Sequence, residues 1–348
     1  MTRPHALLRI GFSYNRTIGM RRLTNTPIDI VVTKDGLVRT LCRQGKNGFV
    51  RTLNMEDDDL GAFNIGASGV ARQIGGGKSV GGFTWPSGMT TDAEENLWIS
   101  DEGTHKISKM SLEGEMIDQW GEHGSEKGEL NRPSGISFDP EGNLWVADSF
   151  NHRVQKFDPS GAHLLSIGSL GDGPGELNMP WGLHVDELGS VYVSDWRNDR
   201  LQIFSPEGDL IAQIGESGSG EGQFNRPAGV TVDKDGDIYV VDRGNNRVQL
   251  FGPDGSFVEQ FIGDATLGNQ AYNYMVTQVT ALRLREMASI EQQKRLRDPI
   301  AVLTDNEGYM YITDYGSHRI QIYKKEAHVL EAHEISDPLR SPSLYTQF

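Results

Sequence analysis

The 348-residue chain contains one cysteine, Cys42. No intrachain disulfide and no cysteine-based zinc cluster can form. Long apolar runs are missing too, and no stretch approaches the length of a membrane span. The opening residues, MTRPHALLRIGFSYNRT, hold neither a long apolar core nor a small-residue cleavage site, so no secretory leader is expected. Positive charge is scarce: 33 Lys and Arg face 48 Asp and Glu, a net charge of −15. With no basic segment set apart, that balance disfavours nucleic acid and anionic lipid as partners. No P-loop, dinucleotide-binding glycine pattern or nucleophile elbow is present. The expectation is a cytoplasmic protein with no membrane contact.

Glycine, by contrast, is abundant, and it recurs with period. RPSGISFDPEGNLWVADSFNHRVQKF at 132–157 returns as MPWGLHVDELGSVYVSDWRNDRLQIF at 179–204 and RPAGVTVDKDGDIYVVDRGNNRVQLF at 226–251. Weaker copies begin at Trp85 and Asp298, and a degenerate one at Pro27. Pro86, Pro133, Pro180 and Pro227 stand 47 residues apart, while the intervals to Pro27 and Pro299 are 59 and 72. Six units follow, with insertions in the first and the fifth.

Each unit reads as four short strands with period-two alternation and Asp-Gly or Glu-Gly turns. The expected fold is all-β: a six-bladed propeller of four-stranded antiparallel blades in a single domain, 1–348. Residues 27–323 carry the repeats and 324–348 form a tail. The last unit lacks a fourth strand, but ALLRIG at 6–11 matches HLLSIG at 163–168. Residues 6–11 are therefore expected to close the ring as the outer strand of blade six. The insertion at 269–297 lacks Gly and Pro, and Val276, Val279, Leu282 and Met287 recur at roughly helical spacing. It reads as a helix or helical hairpin, either capping the channel as a lid or packed on one blade.

The pattern Asp-x-x-Asn-x-Arg-x-Gln, carried by Asp148, Asn151, Arg153 and Gln155 with His152 and Phe157, resembles the NHL repeat family of β-propellers. That resemblance implies a fold more than an activity. Asp101, Asp148, Asp195, Asp242 and Asp314 share one repeat position, and Arg153, Arg200, Arg247 and Arg319 another. A residue needed in every blade is expected to fasten the blade. His105, His152 and His318 also share a position, as rim side chains or as converging ligands of one metal.

Function is expected where copies deviate. The connections between fourth and first strands and between second and third strands open on one face. Trp85, Arg132, Arg226, Phe150, Trp196 and Trp181 are candidate ligand-binding residues there, suited to a planar or anionic ligand. Arg197, Arg243, Tyr315 and His184 are candidate catalytic residues. Asp29 stands where other copies have Gly; it could ligate a cation or pair with an arginine. His184 replaces a small residue, as base, ligand or satisfied core histidine.

Two propeller groups related to the NHL family frame the enzyme question. Peptide α-amidating lyases use zinc held by His after the first-strand Pro; here Ile28, Ser87, Ser134, Trp181, Ala228 and Ile300 occupy those places. Gluconolactonase-like propellers use channel calcium, for which Asp29 is the comparable start. The leading reading is a recognition scaffold binding a small molecule, protein or peptide at its top face and channel mouth. The alternative is a lyase or hydrolase with a divalent metal, calcium or zinc, in the channel.

Overall fold

The computed structural model describes residues 8–44, 47–65, 83–278 and 289–329. Six four-stranded antiparallel sheets surround a channel. Blade three shows the plan: Pro133–Phe138 innermost, then Leu144–Asp148, Arg153–Phe157 and, outermost, His163–Ile167. The second strands of blades three to five are buried throughout, because both faces of these blades pack on neighbours. The core is correspondingly divided into interblade layers, such as the one joining Trp145, Leu183, Val193 and Phe204.

The N-terminal strand, Leu8–Ile18, pairs antiparallel with Arg319–Val329 as the outer strand of blade six. It is longer than the ALLRIG match suggested, and residues 6–7 lie outside the described residues. Phe12 and Tyr14 explain the extension. Phe12 meets Phe261 edge-on at 4.9 Å, and Tyr14 meets Tyr323 at 5.7 Å. Past the strand, Gly19 N–H donates to Asp57 of blade one at 2.6 Å. One segment thus joins the last blade to the first.

The described parts of the insertion are helical at Asn269–Val276 and Ile290–Lys294. Val279, Leu282 and Met287 lie outside the described residues. The first helix is held by blade one and by the connection that leads from the N-terminal strand into it. Gln270 N–H donates to Asp57 Oδ2 at 2.9 Å, and Arg22 donates to the Tyr274 hydroxyl at 3.2 Å. Just before it, Thr266 N–H donates to the Tyr14 hydroxyl at 3.0 Å. Among the described residues 269–296, no hydrogen bond reaches a channel-lining side chain.

Candidate functional site on the top face

The repeat positions settle into fastenings. Asp148 is fully buried. Its Oδ1 accepts Asn131 N–H at 2.6 Å, and its Oδ2 accepts from Asn151, Arg153 and Gln155. Asp195, Asp242 and Asp314 accept from the matching positions. Each arginine then donates to carbonyls of the preceding interblade connection, as Arg153 does to Ser125, Glu126 and Glu129. The shared histidines have one task as well. Nδ1 of His105, His152 and His318 accepts the N–H of Arg132, Met179 and Thr26, each just before the next unit's proline. Asp199 and Asn246 do the same in blades four and five. These imidazoles face backbone donors instead of converging on one another.

A second set of bonds gathers the variable residues. In all six units the start of the connection after strand two donates a backbone N–H to the connection leading into strand one. The pairs are Arg43 with Thr26, Glu102 with Trp85, Phe150 with Asn131, Arg197 with Asn178, Gly244 with Asn225 and Gly316 with Arg297. Both kinds of connection therefore share one face, and the deviating side chains project from it.

Arginines and aromatic rings pair there. The Arg132 guanidinium lies 4.4 Å from the Phe150 ring centroid and 5.8 Å from that of Trp85. Arg197 and Arg226 flank Trp196 at 5.0 and 5.3 Å, and Trp181 lies 6.4 Å from Trp196. Contacts of this length hold a guanidinium over a ring face while its edge N–H groups stay available. Trp85 and Phe150 keep 36% and 39% of their surface exposed, enough to meet a ligand.

Arg243 is placed differently from the other candidates. It forms a two-pronged pair with Asp298, at 2.6 and 3.1 Å. Both partners are partly exposed, so the pair contributes little to folding. Arg243→Ala is expected to change unfolding free energy by less than about 1 kcal/mol, checked by urea denaturation. A larger loss would make the pair a fastening. Tyr315 packs against the core layer containing Ile28 and Ile300.

Sequence reasoning left out of the site its most buried charge, Glu102. It is 8% exposed, its Oε1 lacks a hydrogen bond, and Arg43 lies 3.7 Å away. Burial pushes its carboxyl up, while Arg43, Arg132 and Arg243 pull it down. Arg43 was hidden because Cys42 replaces the usual Asp. The signal was register: Cys42 stands opposite Pro27 as Asp148 stands opposite Pro133.

Asp29 and His184 line the channel cavity, about 110 Å³, from blades one and four. Asp29 accepts Ile30 N–H at 2.9 Å and, across the blade boundary, Met89 N–H at 2.7 Å. Burial among the inner strands pushes its carboxyl up to about 7. The same burial pulls the His184 imidazole down to about 4, against the nearby Asp186. Among the described residues, no group of three or more His, Cys, Asp or Glu side chains is placed to hold a metal ion. Asp29 and His184 alone do not make the donor set of a zinc or calcium centre.

Comparison with known proteins gives the fold its relatives. The NHL repeat profile matches residues 130–157, 177–204 and 224–251. No curated protein matches the sequence. Among solved structures, a streptogramin B lyase aligns with TM-score 0.55 and 11% identity, over 92% of this chain and 98% of its own. A catalytically inactive virginiamycin B lyase from Staphylococcus aureus, solved with quinupristin, aligns with TM-score 0.58 and 11% identity, over 91% and 99%. A structural genomics protein of unknown function from Bacteroides thetaiotaomicron VPI-5482 gives 0.59 and 18%, over 92% and 76%. At these identities the likeness is one of fold.

Proposed function

Taking the chain as the NHL-repeat β-propeller that its repeats and its ring make it, we propose that it is a recognition scaffold whose top face binds a planar anionic group. That group belongs to a small molecule or to a peptide or protein partner. The stacking of Arg132, Arg197 and Arg226 on Trp85, Phe150 and Trp196 carries the reading. A ring stacks on the exposed aromatic surface, and its carboxylate or phosphate takes the guanidinium N–H groups. The chain as a whole carries −15, which makes a local excess of arginine unlike the rest of the molecule.

Titrating the intrinsic tryptophan fluorescence with a panel of aromatic carboxylates and aryl phosphates tests this. Saturable quenching is expected for the wild type, with affinity about tenfold weaker or worse in Arg132→Ala/Arg226→Ala. Quenching that is linear, or equal in both proteins, would remove the top face as the site.

A metal-dependent lyase or hydrolase acting in the channel is the second reading. The observation in its favour is the place of Asp29, a carboxyl on the innermost strand of blade one that lines the channel cavity. Elemental analysis of protein prepared without chelators separates the two. Stoichiometric calcium or zinc lost in Asp29→Ala would favour the enzyme, and metal-free protein with saturable anion binding the scaffold.

A further inference from the structure

The molecule also holds a cavity of about 690 Å³, several times the size of the channel cavity. One wall is the helix Asn269–Val276, and the other is the connection that follows the N-terminal strand. Ala271, Tyr274 and Met275 share one helix face, at spacings of three and four, and that face looks into the cavity. Met20, Leu267 and the buried Phe49 complete the apolar lining.

Besides Asn25 and the Tyr274 hydroxyl, the polar groups among the described lining residues are two cations. Arg21 and Arg22 line the cavity and are solvent-exposed, so their charge sits at its rim. Arg22 stacks on Tyr274 at 4.5 Å, which holds its guanidinium beside the opening. Among the described residues, no acidic side chain lines the cavity. In a chain of net charge −15 this combination selects its occupant by charge. An apolar interior within roughly the 300–1,000 Å³ of ordinary ligand pockets, rimmed by two guanidinium groups, suits a chain or ring that ends in a carboxylate.

We propose that this cavity is a second binding site, separate from the arginine–aromatic pairs of the top face, and that it takes a small carboxylate amphiphile, its apolar part against Phe49, Leu267 and Met275 and its carboxylate on Arg21 and Arg22. The site joins three parts of the molecule. The helix that walls it is held by Asp57 of blade one, and the segment before it by Tyr14 of the closing strand. A bound amphiphile therefore adds contacts across the seam where the ring closes, and stabilises it by linkage.

Isothermal titration calorimetry with decanoate and decyltrimethylammonium, both kept below micelle formation, tests the assignment. The two probes share a chain and differ in headgroup charge. Decanoate is expected to bind one site per chain, and to bind at least about tenfold more tightly than the cation. Arg21→Glu/Arg22→Glu should weaken decanoate by about tenfold or more, because attraction becomes repulsion. Ala271→Trp should block it by filling the cavity. Both exposed arginines can change without cost to the core, and thermal unfolding without ligand checks that all variants fold. Arg132→Ala should leave decanoate binding unchanged, which keeps this site distinct from the arginine–aromatic pairs. Equal affinity for both headgroups, absence of saturable decanoate binding, or binding lost in Arg132→Ala alone would each overturn the proposal. So would binding that arises only after residues 279–288 are removed, since the occupant would then be that part of the chain.

Discussion

Removal of residues 1–18 is expected to cost most of the protein's folding stability. Ile18 is fully buried, and Phe12 and Tyr14 are half-buried against the cores of blades five and six. At about 1.5–3 kcal/mol for each fully buried large side chain, these three alone contribute roughly 5 kcal/mol. A whole domain has a margin of only about 5–15 kcal/mol. The ladder to Arg319–Val329 is lost in addition, leaving an 11-residue strand as an open edge. The truncated chain should therefore unfold at far lower temperature and aggregate on size-exclusion chromatography. An unchanged melting curve with a monodisperse peak would mean that the ring closes without this strand.

Asp195→Ala is expected to show the next largest effect, a loss of about 3 kcal/mol or more. The carboxylate is fully buried and accepts from Asn178 N–H, Asn198, Arg200 and Gln202. Taking it away leaves the nearly buried Arg200 without its counter-charge and several donors unmatched. Asp195→Asn should fall between, since one oxygen still accepts while the new amide faces donors. Urea unfolding measures both. If Asp195→Ala were as mild as Arg243→Ala, the repeated carboxylate would not be a fastening and its recurrence would need another cause.

Most of the fold could be read from periodicity, because a propeller writes the same local problem six times. The 47-residue spacing of the prolines gave the blades, and the buried Asp with its Arg and Asn partners recurs in blades three, four and five because those blades have the same junction to secure. The closing strand was only half legible. Its repeat-like letters end at Gly11, whereas Phe12 to Ile18 pair by alternation alone, with a bulge between Tyr14 and Arg16. The position of the insertion was not legible at all. Nothing in residues 269–276 announces that their hydrogen-bond partners would be Asp57 and Arg22, more than 200 residues away.

The top face was legible as a list and illegible as a set of partners. Repeat position identified Arg132, Phe150, Trp196, Arg197 and Arg226 as rim residues. Which arginine lies on which ring depends on the twist of neighbouring connections, which no single repeat encodes. Arg243 shows the difference most clearly. It shares the rim but spends its charge on Asp298, the residue before the sixth proline. Glu102 shows the converse: one of a series of unlike residues by position, it is by burial the charge around which Arg43, Arg132 and Arg243 act.

Division of labour between repeated and deviating residues is the centre of this account, and one thermal-unfolding series tests it. Wild type, Asp195→Ala and Arg132→Ala/Arg226→Ala would each be melted with and without the aromatic anion that quenches tryptophan fluorescence most strongly. The expected result is a lowered midpoint in Asp195→Ala that still rises with the anion, and a nearly unchanged midpoint in the arginine variant that no longer rises. A lowered midpoint in the arginine variant with its ligand response intact, beside an unperturbed Asp195→Ala that has lost the response, would contradict it.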